Sequence, residues 1–159
     1  MDVTVQPPDA IETEFLCDVR VTLTPAQDIG QTPAGRRMVL IVRSGSFEGP
    51  RLRGEILPGG GDWLVMLANG VAELDIRASF RAHDGALILA KLTGVIDAAP
   101  AVFLRAVSGQ PVDASEYYLR VTPRFETADE RYAWLNRLVC VGTGAFGQHQ
   151  AAFRMYALT

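Results

Sequence analysis

The sequence predicts an all-β domain, mainly antiparallel, whose strands close into a barrel. Apolar and polar residues alternate with the two-residue period of half-buried strands, most plainly over residues 14–23 and 62–93. Two turn dipeptides, Asn69-Gly70 and Asp84-Gly85, sit between alternating runs and mark β-hairpins. Helical patterning is confined to two short stretches, leaving eight to ten strands, and a long meander with bulges closes most readily as a barrel.

Residues 1–13 are acidic and proline-bearing and read as an N-terminal arm; residues 14–159 read as one barrel domain. Over 14–23, Phe15, Cys17, Val19, Val21 and Leu23 share one face, with Glu14, Asp18, Arg20 and Thr22 on the other. Residues 27–35 are rich in turn formers and read as a loop. Residues 37–43 form a second strand, and Gly45, Gly49, Pro50 and Gly54 imply bent or bulged strands after it. Residues 58–61, Pro-Gly-Gly-Gly, are a loop. A three-stranded meander then covers 62–93. With Asn69-Gly70 as a two-residue turn, Met66 faces Glu73, Leu64 faces Asp75 and Asp62 faces Arg77. With Asp84-Gly85 as the second, Arg81 faces Ile88 and Arg77 faces Leu92.

Pro100 opens the best helix, over 100–108. Val102, Phe103, Ala106 and Val107 lie on one face and Gly109 stops it. Residues 116–122 form a strand, 129–136 one or two helical turns, and 138–142 and 151–158 the closing strands.

A length of 159 residues fits a single domain, and a hydrophobic content of 48% supplies a core. The net charge of −3, with no Lys/Arg stripe, argues against nucleic-acid binding. No apolar run is long enough to span a bilayer. The N-terminus lacks the basic and apolar regions of a secretory signal, so the expected location is the cytoplasm. Cys17 and Cys140 sit in apolar strands and read as buried free thiols. All but one of the 15 basic residues are Arg, the exception being Lys91; Arg suits bidentate recognition of carboxylates.

The central meander has two faces. Trp63, Val65, Leu67, Ala72, Leu74, Ile76, Ala78 and Phe80 form one and require burial. Asp62, Leu64, Met66, Glu73, Asp75, Arg77, Ser79 and Arg81 form the other. That second face is either a solvated wall with a cross-strand Asp62–Arg77 pair or the lining of a ligand cavity. Leu64, Met66, Ile88 and Leu92 on it weigh against simple solvation. His83 and His149 have no ligand-spaced neighbours, and no glycine-rich segment carries a phosphate or dinucleotide fingerprint. No cofactor and no metal are expected.

Several ordered segments resemble one family. They are Thr32-Pro33-Ala34-Gly35-Arg36-Arg37, Gly45-Ser46-Phe47-Glu48-Gly49-Pro50 with Gly54-Glu55, and Leu57-Pro58-Gly59-Gly60 with Asp62-Trp63. Ala72-Glu73-Leu74-Asp75, Asp84-Gly85-Ala86, Tyr117-Tyr118-Leu119-Arg120, Thr122-Pro123-Arg124-Phe125-Glu126-Thr127 and Tyr132-Ala133-Trp134-Leu135-Asn136 complete the set. Together they resemble the bacterial and fungal domain-of-unknown-function family 3237 from about Phe15 to the C-terminus. The resemblance implies a closed, lipocalin-like or allene-oxide-cyclase-like antiparallel barrel, dimeric, with no settled activity. It implies that Glu73, Asp75, Arg77, Tyr118 and Arg120 recur as a pattern, which favours the cavity assignment.

The expectation is therefore a small-molecule-binding barrel acting as a cofactor-independent enzyme of isomerase, hydratase/dehydratase or cyclase type. Its substrate would be a hydrophobic or aromatic metabolite. Asp75 or Glu73 would be the acid or base and Tyr118 the donor to a developing oxyanion. Arg77 and Arg120 would anchor charge, and Met66 and Trp134 would contact the substrate. The competing expectation is a carrier or sensor that leaves its ligand unchanged. Residues 122–134 are expected to cover one barrel mouth. A homodimer through a strand face, with the helix from Pro100 outside the interface, would hide the second apolar face of the meander.

Overall fold

The computed structural model describes residues 4–159. Ten strands make one antiparallel sheet: β1 (Thr13–Leu23), β2 (Gln27–Thr32), β3 (Gly35–Glu48), β4 (Arg53–Ile56), β5 (Gly61–Met66), β6 (Ala72–Ala82), β7 (Leu87–Ala98), β8 (Tyr117–Glu126), β9 (Cys140–Gly147) and β10 (Gln150–Leu158). Helix α1 (Pro100–Val107) lies between β7 and β8, and 3₁₀ segments at Ala114–Glu116 and Glu130–Arg137 flank β8. Pro100 occupies the first turn of α1, where its missing N–H costs no hydrogen bond.

The pairing order β1-β10-β9-β8-β7-β6 continues through β4 and β5 to β3, which pairs back with β1. β5 and β4 together fill one position between β3 and β6, and β2 prolongs the line of β1 along β3. The result is a closed eight-stave barrel, as the alternation predicts. Residues 4–12 precede β1; the first three residues of the expected arm lie outside the described residues.

Residues 27–32, expected as loop, form β2 instead. The turn formers remain, but pairing with 35–39 overrides local propensity. The ladder absorbs Ile29 through a register shift between Asp28 and Gly30, and an Asp28–Arg36 ion pair ties the two strands.

The largest correction concerns both hairpins of the meander. Each loop has three residues, not two. Leu67 N–H donates to Val71 O at 2.9 Å and Gly70 N–H to Leu67 O at 3.0 Å; Ala82 N–H donates to Ala86 O at 2.9 Å and Gly85 N–H to Ala82 O at 2.8 Å. Gly70 and Gly85 have φ of +85° and +90°, whereas Asn69 and Asp84 are not in the positive-φ region. A two-residue type I′ turn needs positive φ at both positions; a three-residue loop with a glycine bulge needs it only at the last. The side chains of Asn69 and Asp84 instead accept the N–H groups of Val71 and Ala86.

This one-residue slip turns the partner strands over. Met66 pairs with Ala72, Asp62 with Ile76, Phe80 with Ile88 and Arg77 with Lys91. Asp62, Leu64 and Met66 therefore share the inward face with Leu74, Ile76, Phe80, Ile88 and Leu92. Trp63 and Val65 share the outer face with Glu73, Asp75 and Arg77. The expected grouping of the Glu73–Arg77 acids and arginine with Leu64, Met66, Ile88 and Leu92 does not exist.

One end of the barrel is packed solid. Phe47 stacks on Phe80 with centroids 4.7 Å apart, and Phe125 meets Phe80 edge-on at 6.1 Å. The 3₁₀ segment Glu130–Arg137 covers this end. Tyr132 and Leu135 are buried, and the Tyr132 hydroxyl donates to Asp84 Oδ2 at 2.7 Å. A reciprocal Thr127–Asn136 pair of hydrogen bonds fixes the approach to it.

Candidate active site in the barrel cavity

The other half of the barrel is hollow. A cavity of about 280 Å³ is walled by Val19, Val42, Leu64, Leu74, Leu92 and Met155, with Phe103 and Val107 of α1 and Phe146 of β9 also on its lining. The α1 contribution is fixed by Phe103 packing on Phe146, centroids 5.3 Å apart, and by Tyr117 packing on the same ring at 5.0 Å. A larger depression of about 600 Å³ crosses the outer wall at Arg20, Ser44 and Ala152. It is the more open of the two, and the apolar lining makes the inner cavity the better ligand site.

Among the described residues Asp62 is the only ionisable side chain on the cavity lining, and Gln150 is its other polar one. Asp62 is placed by the register of β5 on β6, and a local opening of that ladder holds it. Pairing runs through Gly61–Arg77 and Asp62–Ile76 and resumes at Val65–Glu73, lapsing at Trp63 and Leu64. The Asp75 N–H donates to Asp62 Oδ1 at 3.1 Å, and the Trp63 carbonyl accepts Arg37 Nη1 at 2.6 Å. Two side chains thus satisfy backbone groups at the gap in the sheet.

Burial pushes the Asp62 carboxyl up to about 6. The Asp75 N–H opposes that shift, the Asp75 carboxylate adds to it, and the Arg37 charge opposes it again. A carboxyl titrating there can both give and take a proton near neutral pH.

The residues expected to carry the chemistry lie elsewhere. Glu73 and Arg77 are exposed on the outer wall, and Asp75 makes only a loose 3.7 Å contact with Arg77 there. Tyr118 is 51% exposed on the outside of β8, with the Arg120 guanidinium 4.6 Å from its ring centroid. Glu73, Asp75 and Arg77 thus form one outer strip and Tyr118 with Arg120 a separate outer pair. Trp134 packs under Arg51, 3.7 Å from its ring centroid, at the solid end of the barrel. Met66 faces inward and packs on the core without lining the cavity.

Sequence reasoning missed Asp62 as a site residue. The sign was present: an acid in step with Leu64 and Met66 at the start of an apolar strand, directly after three glycines. Cys17 and Cys140 are free and buried, and burial pushes the Cys17 thiol up to about 12 and raises that of Cys140. Among the described residues no helix is long and apolar enough to cross a membrane.

A UPF0311 protein of Clostridium acetobutylicum is 36% identical over 124 residues, covering 77% of this chain and 78% of that protein. A β-barrel-like protein of Acinetobacter baumannii superposes with a TM-score of 0.84 at 32% identity, covering 98% of this chain and all of that one. An enzyme from Penicillium herquei shares the fold, with a TM-score of 0.73 at 21% identity over 98% of this chain and all of that one. The family model described as "Protein of unknown function (DUF3237)" matches residues 11–158, nearly the whole barrel, and the chain belongs to that family.

Proposed function

We propose that the barrel binds a small hydrophobic or aromatic molecule in the inner cavity and that Asp62 exchanges a proton with it. On this reading the protein is a cofactor-independent enzyme of isomerase, hydratase/dehydratase or cyclase type. One observation carries the reading: among the described residues the apolar inner cavity has a single ionisable lining group, a carboxyl that burial pushes up to about 6. A lone carboxyl suits a shuttle. It removes a proton from one atom of the substrate and returns it at a neighbouring atom, ending in its starting state. The acid–base role thus passes from Asp75 and Glu73 to Asp62, and Asp75 contributes the backbone N–H that orients it. The Penicillium herquei protein of the same fold is described as an enzyme, and that likeness is one of fold.

The carrier reading is favoured by the apolar lining, which needs no chemistry to hold a ligand. Native mass spectrometry of the purified protein, followed by incubation of any bound compound with fresh protein, separates the two. Product formation by wild type that is lost in Asp62→Asn, with binding retained, supports the enzyme. Retained binding with no product from either protein establishes a carrier.

A further inference from the structure

Resting on that reading of the cavity, we infer that it selects an uncharged ligand of about two fused rings, with a carbonyl oxygen facing Asp62, and that it turns away organic carboxylates. The apolar walls and the volume set the size. An apolar cavity of roughly 150 Å³ accepts a single benzene ring, so about 280 Å³ admits two rings with a short substituent. The placement of charge sets the class. Among the described residues no Arg, Lys or His lies on the lining. The arginines that could neutralise a carboxylate, Arg77 and Arg120, stand on the outer wall. Arg37 reaches the Trp63 carbonyl from β3 and is engaged there.

An anion entering the cavity would thus meet hydrocarbon, one carboxyl group and the neutral Gln150 amide, and burying it there without a cationic partner is unfavourable. A carbonyl oxygen needs only a donor, and on the described lining protonated Asp62 is the one donor that depends on pH, the Gln150 amide being the other. The charged groups acting on Asp62 are Asp75 from β6 and Arg37 from β3, with opposite signs. With the carboxyl pushed up to about 6, the protonated form falls roughly 100-fold between pH 5 and pH 8, and the affinity for a ketone falls with it.

The test uses 2-acetylnaphthalene and 2-naphthoate, which differ in having a methyl group in place of a carboxylate oxygen. Binding to wild type and to Asp62→Asn is followed at pH 5 and pH 8 by protein-observed NMR of Leu64, Leu74 and Leu92 methyl groups. The ketone is expected to shift those resonances and to bind wild type up to 100-fold more tightly at pH 5 than at pH 8. The naphthoate is expected to bind at least tenfold more weakly than the ketone at pH 5. Asp62→Asn should flatten the pH dependence and improve naphthoate binding at pH 8. Equal binding of the two compounds to wild type, or an unchanged pH dependence in Asp62→Asn, overturns the selectivity and leaves a ligand cavity standing. Failure of both compounds to shift the cavity methyl groups at either pH overturns the selectivity and the cavity reading together.

Discussion

Replacing Asp62 with Asn should stabilise the protein at neutral pH and leave it nearly unchanged in acid. The carboxyl has a reference pKa of 3.8 and is pushed up to about 6 in the fold. Folding therefore disfavours the ionised form. Below pH 3.8 both states are protonated and the fold bears no penalty. As pH rises, the unfolded chain ionises first, and stability falls until the folded carboxyl has also titrated, above about pH 6. Moving the carboxyl from 3.8 to about 6 corresponds to about 3 kcal/mol. Asparagine has no charge to desolvate, and its side-chain oxygen can still accept the Asp75 N–H. The expected gain is about 3 kcal/mol at pH 7.5, or roughly 6–12 °C in Tm for a domain of this size. Near pH 3.5 the gain should vanish. Paired urea melts of both proteins at the two pH values measure it. An equal effect at both pH values, or destabilisation at pH 7.5, would refute a desolvated carboxyl in the barrel wall.

Phe80→Ala, at the centre of the aromatic cluster with Phe47 and Phe125, should cost about 3–5 kcal/mol in a urea melt, far more than a surface substitution. Gly85→Ala should cost about 1 kcal/mol, because the bulge position has φ of +90°; an unchanged melt would contradict the three-residue loop. Cys17 and Cys140, buried and held protonated, should resist a thiol reagent in the native state and react on unfolding. We also propose a homodimer through an outer strand face. Its basis moves from Leu64, Met66, Ile88 and Leu92, which face inward, to the exposed Leu87, Leu89 and Trp63; light scattering should give about twice 17.3 kDa, and a mass near the monomer value refutes it.

Much of the barrel was legible because strand periodicity is a local property. The alternation over 14–23, the helix opened by Pro100 and the turns near 129–136 needed only short-range pattern. The site was less legible because it depends on register. Asn-Gly and Asp-Gly each fit a two-residue or a three-residue loop, and one residue of difference decides whether Glu73, Asp75 and Arg77 share the face of Asp62 or the opposite one. β2 escaped notice for a related reason, since Gly30 and Thr32 look like loop until β3 pairs with them. The pairing of Arg37 with the Trp63 carbonyl, across 26 residues, had no local trace.

The most direct measurement of the central claim is a ¹³C NMR titration of the aspartate side-chain carboxyl carbons, with Asp62 assigned by its loss in Asp62→Asn. A midpoint near 6 places a proton-exchanging group in the cavity, as proposed. A midpoint near 4 would show an ordinary solvated carboxylate, and the cavity would then have no acid or base to act with.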